Sequence, residues 1–273
     1  MPITASIVIY NSQKEDIQTV VTCAASSIID ILYVIDNALT ACLKNFVLEL
    51  SKKVIYIQGH GNVGYGAGHN IAIREAINQN AIYHLVLNPD INFTEVTIEN
   101  LKNYMDANPR VGQIMPKIVY PNGELQYLCK LIPTPLDLMF KRFFSFKFNE
   151  KRAYKFQLKF TGYEKTMNIP YLSGCFMFFR VSALKEIGLF DERFFMYPED
   201  IDITRRMHEK YLTIFFPDVE IVHAHAAESR KRLKMLLIHI VNMIRYFNKW
   251  GWIFDRKRKV INKKVLKELH YNE

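Results

Sequence analysis

Four short apolar stretches, each closed by turn or polar chemistry and separated by helix-length segments, constrain this chain most. Residues 5–10, ASIVIY, stop at Asn11-Ser12, and residues 31–35, ILYVI, stop at Asp36-Asn37. Residues 54–58 form a third stretch, and residues 83–87 a fourth that stops at Asn88-Pro89-Asp90. Short apolar runs bounded this way read as strands buried on both faces. Helical stretches, roughly 15–27 and 70–78, fill the intervals. That alternation builds βαβ units and a mainly parallel, Rossmann-like sheet flanked by helices, an α/β fold. Ligands of such sheets sit beyond the carboxyl ends of the strands, where Asn11, Asp36, Asn62 and Asp90 fall.

The 273 residues suffice for one large domain, or a domain plus an appendage. Hydrophobic content of 49% and charged content of 23% are globular values and exclude a disordered chain. Cys23, Cys42, Cys129 and Cys175 are scattered with no C-x-x-C pair, which excludes a disulfide scaffold and a zinc site. They read as buried small hydrophobes in a reducing compartment. No positive charge precedes Lys14, and no charge-free apolar run reaches the roughly 18 residues a spanning helix needs. A cytoplasmic protein is expected.

The net charge of +9 is lopsided. From Arg230 to Glu273 there are 13 Lys and Arg against 3 Asp and Glu, so the rest of the chain is close to neutral. The expected division is a domain over 1–229 and a basic, amphipathic helical extension over 230–273. Within the extension Leu233, Leu236, Leu237, Ile240, Val241, Ile244 and Phe247 recur at helical spacing, and Trp250, Trp252 and Phe254 lie among basic residues. Two readings stay open: the apolar face packs on the domain, or the tail meets an anionic membrane at its cytoplasmic face. No recognised motif for nucleic acid accompanies the charge, so no nucleic-acid partner is expected.

Residues 190–202, FDERFFMYPEDID, set five acids among large apolar side chains. Carboxylates there are costly to desolvate unless paired, metal-bound or used chemically. Pro198 suits a helix start, and the plain alternative is that Glu199 and Asp200 merely complement a helix N-terminus, which would keep them ionised. Gly59, Gly61 and Gly64 satisfy G-x-G-x-x-G, but after the third strand instead of the first; the loop reads as a phosphate-approaching turn or as a turn without ligand. Asp90 at a strand end suits a hard divalent cation, Mg2+ or Mn2+. His223, just after a strand over 220–222, is either a ligand beside it or a hydrogen-bonded structural residue.

The rest of the chain is less periodic. Turn chemistry marks 121–123, and residues 139–160 interleave aromatic and basic residues, as a mobile flap or surface contact would. Residues 170–179 read as a buried strand with a bulge or close ligand approach at Gly174, 183–187 as a helix, and 213–217 as a strand.

Taken in order, SIVIYN (6–11), VIDN (34–37), NVGYGAGHN (62–70), LNPD (87–90), PKIVYPNGELQ (116–126), YLSGCFMFFR (171–180) and IGLFDERFFMYPEDIDITRR (187–206) resemble glycosyltransferase family 2. The likeness is greatest to the rhamnosyltransferase-like members that build bacterial surface polysaccharides. The resemblance, over about 5–229, implies a GT-A fold and inverting, metal-dependent transfer from a nucleoside-diphosphate sugar to a glycan or lipid-linked acceptor. It places Tyr10, Asp36, Asn62, Gly64, Asn88 and Asp90 on the nucleotide-sugar side, and Gly174 and Glu199 on the acceptor or sugar side. Asp200 becomes the general base, and Asp90 and His223 the metal ligands. Asn88 replaces the first acid of the family's Asp-x-Asp position, and Ala38-Leu39-Thr40 departs from its usual Ser and Asp. The remaining alternatives are an inactive, membrane-associated relative and a nicotinamide-dependent Rossmann enzyme.

Overall fold

In a computed structural model of the protein, the residues described are 1–40, 42–138, 146–224 and 233–271. The expected strands form: β1 (Ile3–Ile9), β2 (Ile31–Asp36), β3 (Val54–Ile57) and β4 (Tyr83–Leu87). All four are parallel neighbours in the order β3-β2-β1-β4, with Ile9 beside Asp36 and Ile7 beside Leu87. Helices α1 (Lys14–Ser26), α2 (Lys44–Leu50) and α3 (Tyr65–Asn78) connect them. The strand order reverses between β1 and β4, so a cleft opens beyond their carboxyl ends. Under α3 a polar string crosses the otherwise apolar sheet: Ser6 Oγ lies 2.7 Å from His69 Nδ1 and 2.9 Å from His84 Nε2.

The second half is mixed. After β5 (Ile91–Asn92) and α4 (Thr97–Ala107) come β6 (Val111–Val119), the two-residue strands β7 (Cys129–Lys130), β8 (Met167–Asn168) and β9 (Tyr171–Leu172), and then β10 (Phe176–Arg180). Strand β10 runs antiparallel between β4 and β6, and β11 (Leu212–His223) extends the sheet beyond β6. The expected single strand over 170–179 is thus two strands parted at Gly174, with the bulge grown into a corner. The two expected strands over 213–217 and 220–222 are one, whose register against β6 shifts between Phe216 and Glu220, around Pro217. Pro116 hides β6 in the sequence in the same way, because proline cannot donate to the ladder.

Residues 139–145, part of the expected flap, lie outside the described residues. The remainder is helical: α5 spans Phe146–Phe156, and its last carbonyl accepts the Leu131 N–H at 3.0 Å. Cysteine burial is also uneven, with Cys129 and Cys175 buried and Cys42 exposed. Helix α6 (Val181–Ile187) leads to the acidic stretch and α7 (Glu199–His208), and the chain ends on α8 (Leu233–Trp250) and α9 (Arg256–Glu268).

The expected boundary at 229–230, and His225 with it, lie outside the described residues. Beyond them, α8 turns Met243, Tyr246 and Phe247 onto Tyr171, Phe194 and Ile201. Of the two fates left open for the tail's apolar face, this part packs on the body. Among the described residues no helix is long and apolar enough to cross a membrane.

Candidate active site

At the carboxyl end of β2, buried Asp36 accepts the Ala38 N–H at 2.8 Å and the Tyr56 hydroxyl. Asn37 donates to the Gly64 carbonyl at 3.1 Å and to Asn62 Oδ1 at 3.3 Å, tying β2 to the glycine loop; Tyr10 at the end of β1 is half exposed. Gly64 has φ +91°, and a Cβ there would meet the Phe195 carbonyl oxygen at 2.1 Å, so only glycine fits. The Tyr65 N–H donates to that same carbonyl at 2.9 Å, and the Gly64 N–H to Asn62 Oδ1 at 3.2 Å. Two donors at the start of α3, expected to greet phosphate, are therefore spent, Tyr65 on holding the loop against the acidic stretch and Gly64 within the loop itself.

Beyond β4, the Asn88 N–H donates to the Cys175 carbonyl at 2.9 Å, which fixes Asn88 beside the Gly174 corner. The Asp90 carboxylate lies 3.3 Å from His223 Nε2, and the Asp90 carbonyl accepts the Ala224 N–H at 3.0 Å. Gln126 holds the imidazole's other face, with Oε1 at 2.9 Å from Nδ1. Burial pushes this histidine down, but hydrogen bonds to Asp90 and Cys175 outweigh it and raise it to about 10. Asp90 offers the oxygen donor that a hard divalent ion takes, whereas His223, held protonated beside it, would have to release its proton before it could ligate. Among the described residues no group of three or more His, Cys, Asp or Glu gathers to hold a metal unaided.

The five acids of 190–202 separate into two kinds. Asp191 pairs with Arg193 at 2.8 Å and Lys249 at 2.7 Å; Glu192 accepts from Asn70 at 2.9 Å and pairs with Arg74. Asp202, fully buried, is met by Arg206 at 2.8 Å, Lys249 at 2.6 Å and the Trp250 indole N–H at 2.8 Å. Among the described residues Glu199 and Asp200 have no such ion pair. Burial, then the charge of Asp200, pushes Glu199 up to about 8, and its Oε2 atom is buried with no hydrogen-bond partner.

Burial also raises Asp200, against the opposing charge of Lys130 and the N–H groups of Gly174 (3.1 Å) and Ile201 (2.8 Å). The expectation that the helix start keeps these acids readily ionised is corrected: desolvation exceeds the dipole. A Cβ on Gly174 would stand 3.0 Å from Asp200 Cβ, so the missing side chain lets α7 close on the β9–β10 corner.

Gly174 and Cys175 are thus the hinge of the site. One bonds to Asp200, the other to the tip of β4, and the Tyr65 hydroxyl donates to the Gly174 carbonyl at 2.7 Å. The Gly174–Cys175 corner thereby brings Asp200 on α7 and Asn88 at the end of β4 to one place. Residues the sequence did not single out complete the setting: Tyr65, Gln126, Lys130 and Tyr171. Tyr65, Gln126 and Tyr171 lie within quoted motifs; nothing in the sequence around Lys130 distinguishes it from a surface lysine.

Residues 4–188 match the family described as Glycosyl transferase family 2. The chain belongs to glycosyltransferase family 2. It is 26% identical over 210 residues to an N-acetylglucosaminyl-diphospho-decaprenol L-rhamnosyltransferase of Mycobacterium tuberculosis, covering 72% of this chain and 67% of the relative. It is 27% identical over 218 residues to the low-salt glycan biosynthesis hexosyltransferase Agl10 of Haloferax volcanii, covering 77% of this chain but only 63% of that one. In fold it resembles the mannosyltransferase PcManGT of Pyrobaculum calidifontis, solved with GDP-Man and Mn2+ (TM-score 0.58, 15% identity, covering 100% of this chain and 76% of that one). The protein is a glycosyltransferase of GT-A fold, and the nicotinamide alternative falls: the glycine loop serves another enzyme class.

Proposed function

We propose that this family 2 enzyme is metal-dependent and inverting, and moves a sugar of the rhamnose type from a nucleoside-diphosphate donor to a hydroxyl of a glycan or lipid-linked saccharide in surface polysaccharide synthesis. What carries the reading is Asp200: a desolvated carboxylate without an ion pair among the described residues, held by the Gly174 N–H at the corner where the Cys175 carbonyl holds Asn88. The rhamnosyltransferase relative supports the sugar, and the nucleotide-sugar and Mn2+ complex of the mannosyltransferase supports donor and metal.

Tyr10, Asp36, Asn62, Gly64 and Asn88 line the donor side, and Gly174 and Glu199 the sugar and acceptor side. Asp90 and His223 would hold a divalent ion, whose charge would neutralise a departing diphosphate. Asp200 accepts the proton of the acceptor hydroxyl as its oxygen attacks the anomeric carbon and the carbon–oxygen bond to the diphosphate breaks, with inversion. Its raised pKa favours this, because a stronger base drives proton transfer further. Asp200→Asn should retain donor binding, read by thermal shift with nucleotide sugars and Mn2+, and lose transfer. Near-normal turnover of that variant would remove Asp200 from the role.

The tail offers a surface for a lipid-linked acceptor. Leu237, Val241 and Ile244 are exposed along α8, and Trp252, which donates to Asn248 at 2.8 Å, continues that stripe to exposed Ile253 and Phe254. Arg256, Lys259, Lys263 and Lys267 follow at helical spacing on α9, without an ion pair among the described residues. The proposed partner is the anionic cytoplasmic face of the membrane, each cation contributing about 1 kcal/mol. Phe254→Ser and Lys263→Glu should each lower partitioning onto phosphatidylglycerol vesicles; unchanged partitioning, or a dimer made through this face, would overturn the proposal.

A further inference from the structure

We infer that Lys130, acting with Tyr171, is a positioning residue that keeps the Asp200 carboxylate ionised and oriented toward the acceptor hydroxyl. The inference rests on the reading of Asp200 as the base. Lys130 is 8% exposed and stands directly opposite Tyr171 in the β7–β9 pair. A buried ammonium is costly unless opposite charge or hydrogen bonds meet it. Here the amine lies 3.5 Å from the Tyr171 hydroxyl and 4.7 Å from the centre of its ring. No carboxylate pairs with it directly among the described residues; the carboxylate whose charge acts on it is Asp200.

Tyr171 connects the two. Burial first, then the charges of Asp200 and Glu199 and a hydrogen bond to Asp200, hold its phenol protonated, so it stands as a donor toward that carboxylate. The titratable groups facing Asp200 are Glu199 on its own helix, Lys130 on β7, Tyr171 on β9 and Tyr65 on α3. Lys130 is the cation among them. It offsets the desolvation that the cleft imposes on the base, while the Gly174 N–H and the phenol fix the carboxylate's direction. Lys130 itself exchanges no proton with substrate: the acceptor's proton goes to Asp200.

Full-length wild type, Lys130→Met, Lys130→Arg and Tyr171→Phe should be compared by kcat and donor KM from pH 5 to 9, with melting temperature as the folding control. In Lys130→Met the acidic limb of kcat should move up by on the order of one pH unit, and kcat on that limb fall about tenfold. Donor KM should hold within about twofold, since the loss is of chemistry and not of uniform binding. Lys130→Arg should return the limb toward wild type, and Tyr171→Phe should shift it in the same direction by less.

An unshifted limb in Lys130→Met overturns the inference, as does a loss confined to donor KM. If Lys130→Met does not fold, an unshifted limb in Tyr171→Phe overturns it. An active Asp200→Asn enzyme would instead sink the base assignment, and with it the proposed mechanism, whatever Lys130 does.

Discussion

Helix α7 has two faces that treat the same chemistry in opposite ways. On one, Asp202 and Arg205 are buried and ion-paired: Asp202 by Arg206 and Lys249, beside the Trp250 N–H, and Arg205 by a two-pronged bond to Asp255 at 2.7 and 2.9 Å with the Trp250 ring 3.9 Å away. On the other, Glu199 and Asp200 are desolvated beside each other with Lys130 as the nearby cation. The matched face fastens α7 to the C-terminal helices. The mismatched face carries the electrostatic cost of burial that the proposed base would draw on. Stability and reactivity are thus separated by about half a helical turn, and firm anchoring of the first face allows strain on the second.

The sharpest way to break this comparison is Asp200→Asn, which should lower transfer by on the order of 10²–10⁴ and leave the melting temperature equal or higher. A drop in both would mean that Asp200 is structural, like Asp202. Next, Asp255→Ala leaves Arg205 charged and buried, and removes the cap that Asp255 gives the Arg258 N–H; it should cost about 3–5 kcal/mol by chemical denaturation. The double variant Arg205→Met, Asp255→Leu should recover much of that loss.

A smaller effect has a definite sign. Glu199 is raised in the folded state, so its contribution is fully present below the unfolded value near 4.5 and fades as pH climbs through about 8. Glu199→Gln should therefore flatten the alkaline decline and stabilise the protein by on the order of 2 kcal/mol above pH 8. A variant less stable there would place Glu199 with the matched acids. The smallest change is expected at Glu192, whose pair with Arg74 is about half exposed on both sides: Arg74→Ala should cost under about 1 kcal/mol and leave transfer unchanged.

Much of the fold was legible because its signals are local. The four parallel strands appear as apolar runs, and their polar stops fall at the rim of the cleft, since a carboxyl end is a property of a single strand. The second half of the sheet was harder. Pro116 and Pro217 interrupt β6 and β11, and nothing in FMFFR tells that β10 runs antiparallel. The glycine loop shows the same limit: Gly64 announces a close approach, but only coordinates reveal that the approaching atom is the Phe195 carbonyl.

The sequence by itself determined the layer architecture and the family, because periodicity, turn chemistry and motif order are written within a few neighbouring positions. Tertiary structure alone decided which of five adjacent acids would be neutralised. Lys249 and Trp250 arrive from a distant helix to quiet Asp202, and Lys130 comes from β7 to stand near Asp200. Desolvation depends on everything packed around a group, and most of that packing comes from residues far along the chain.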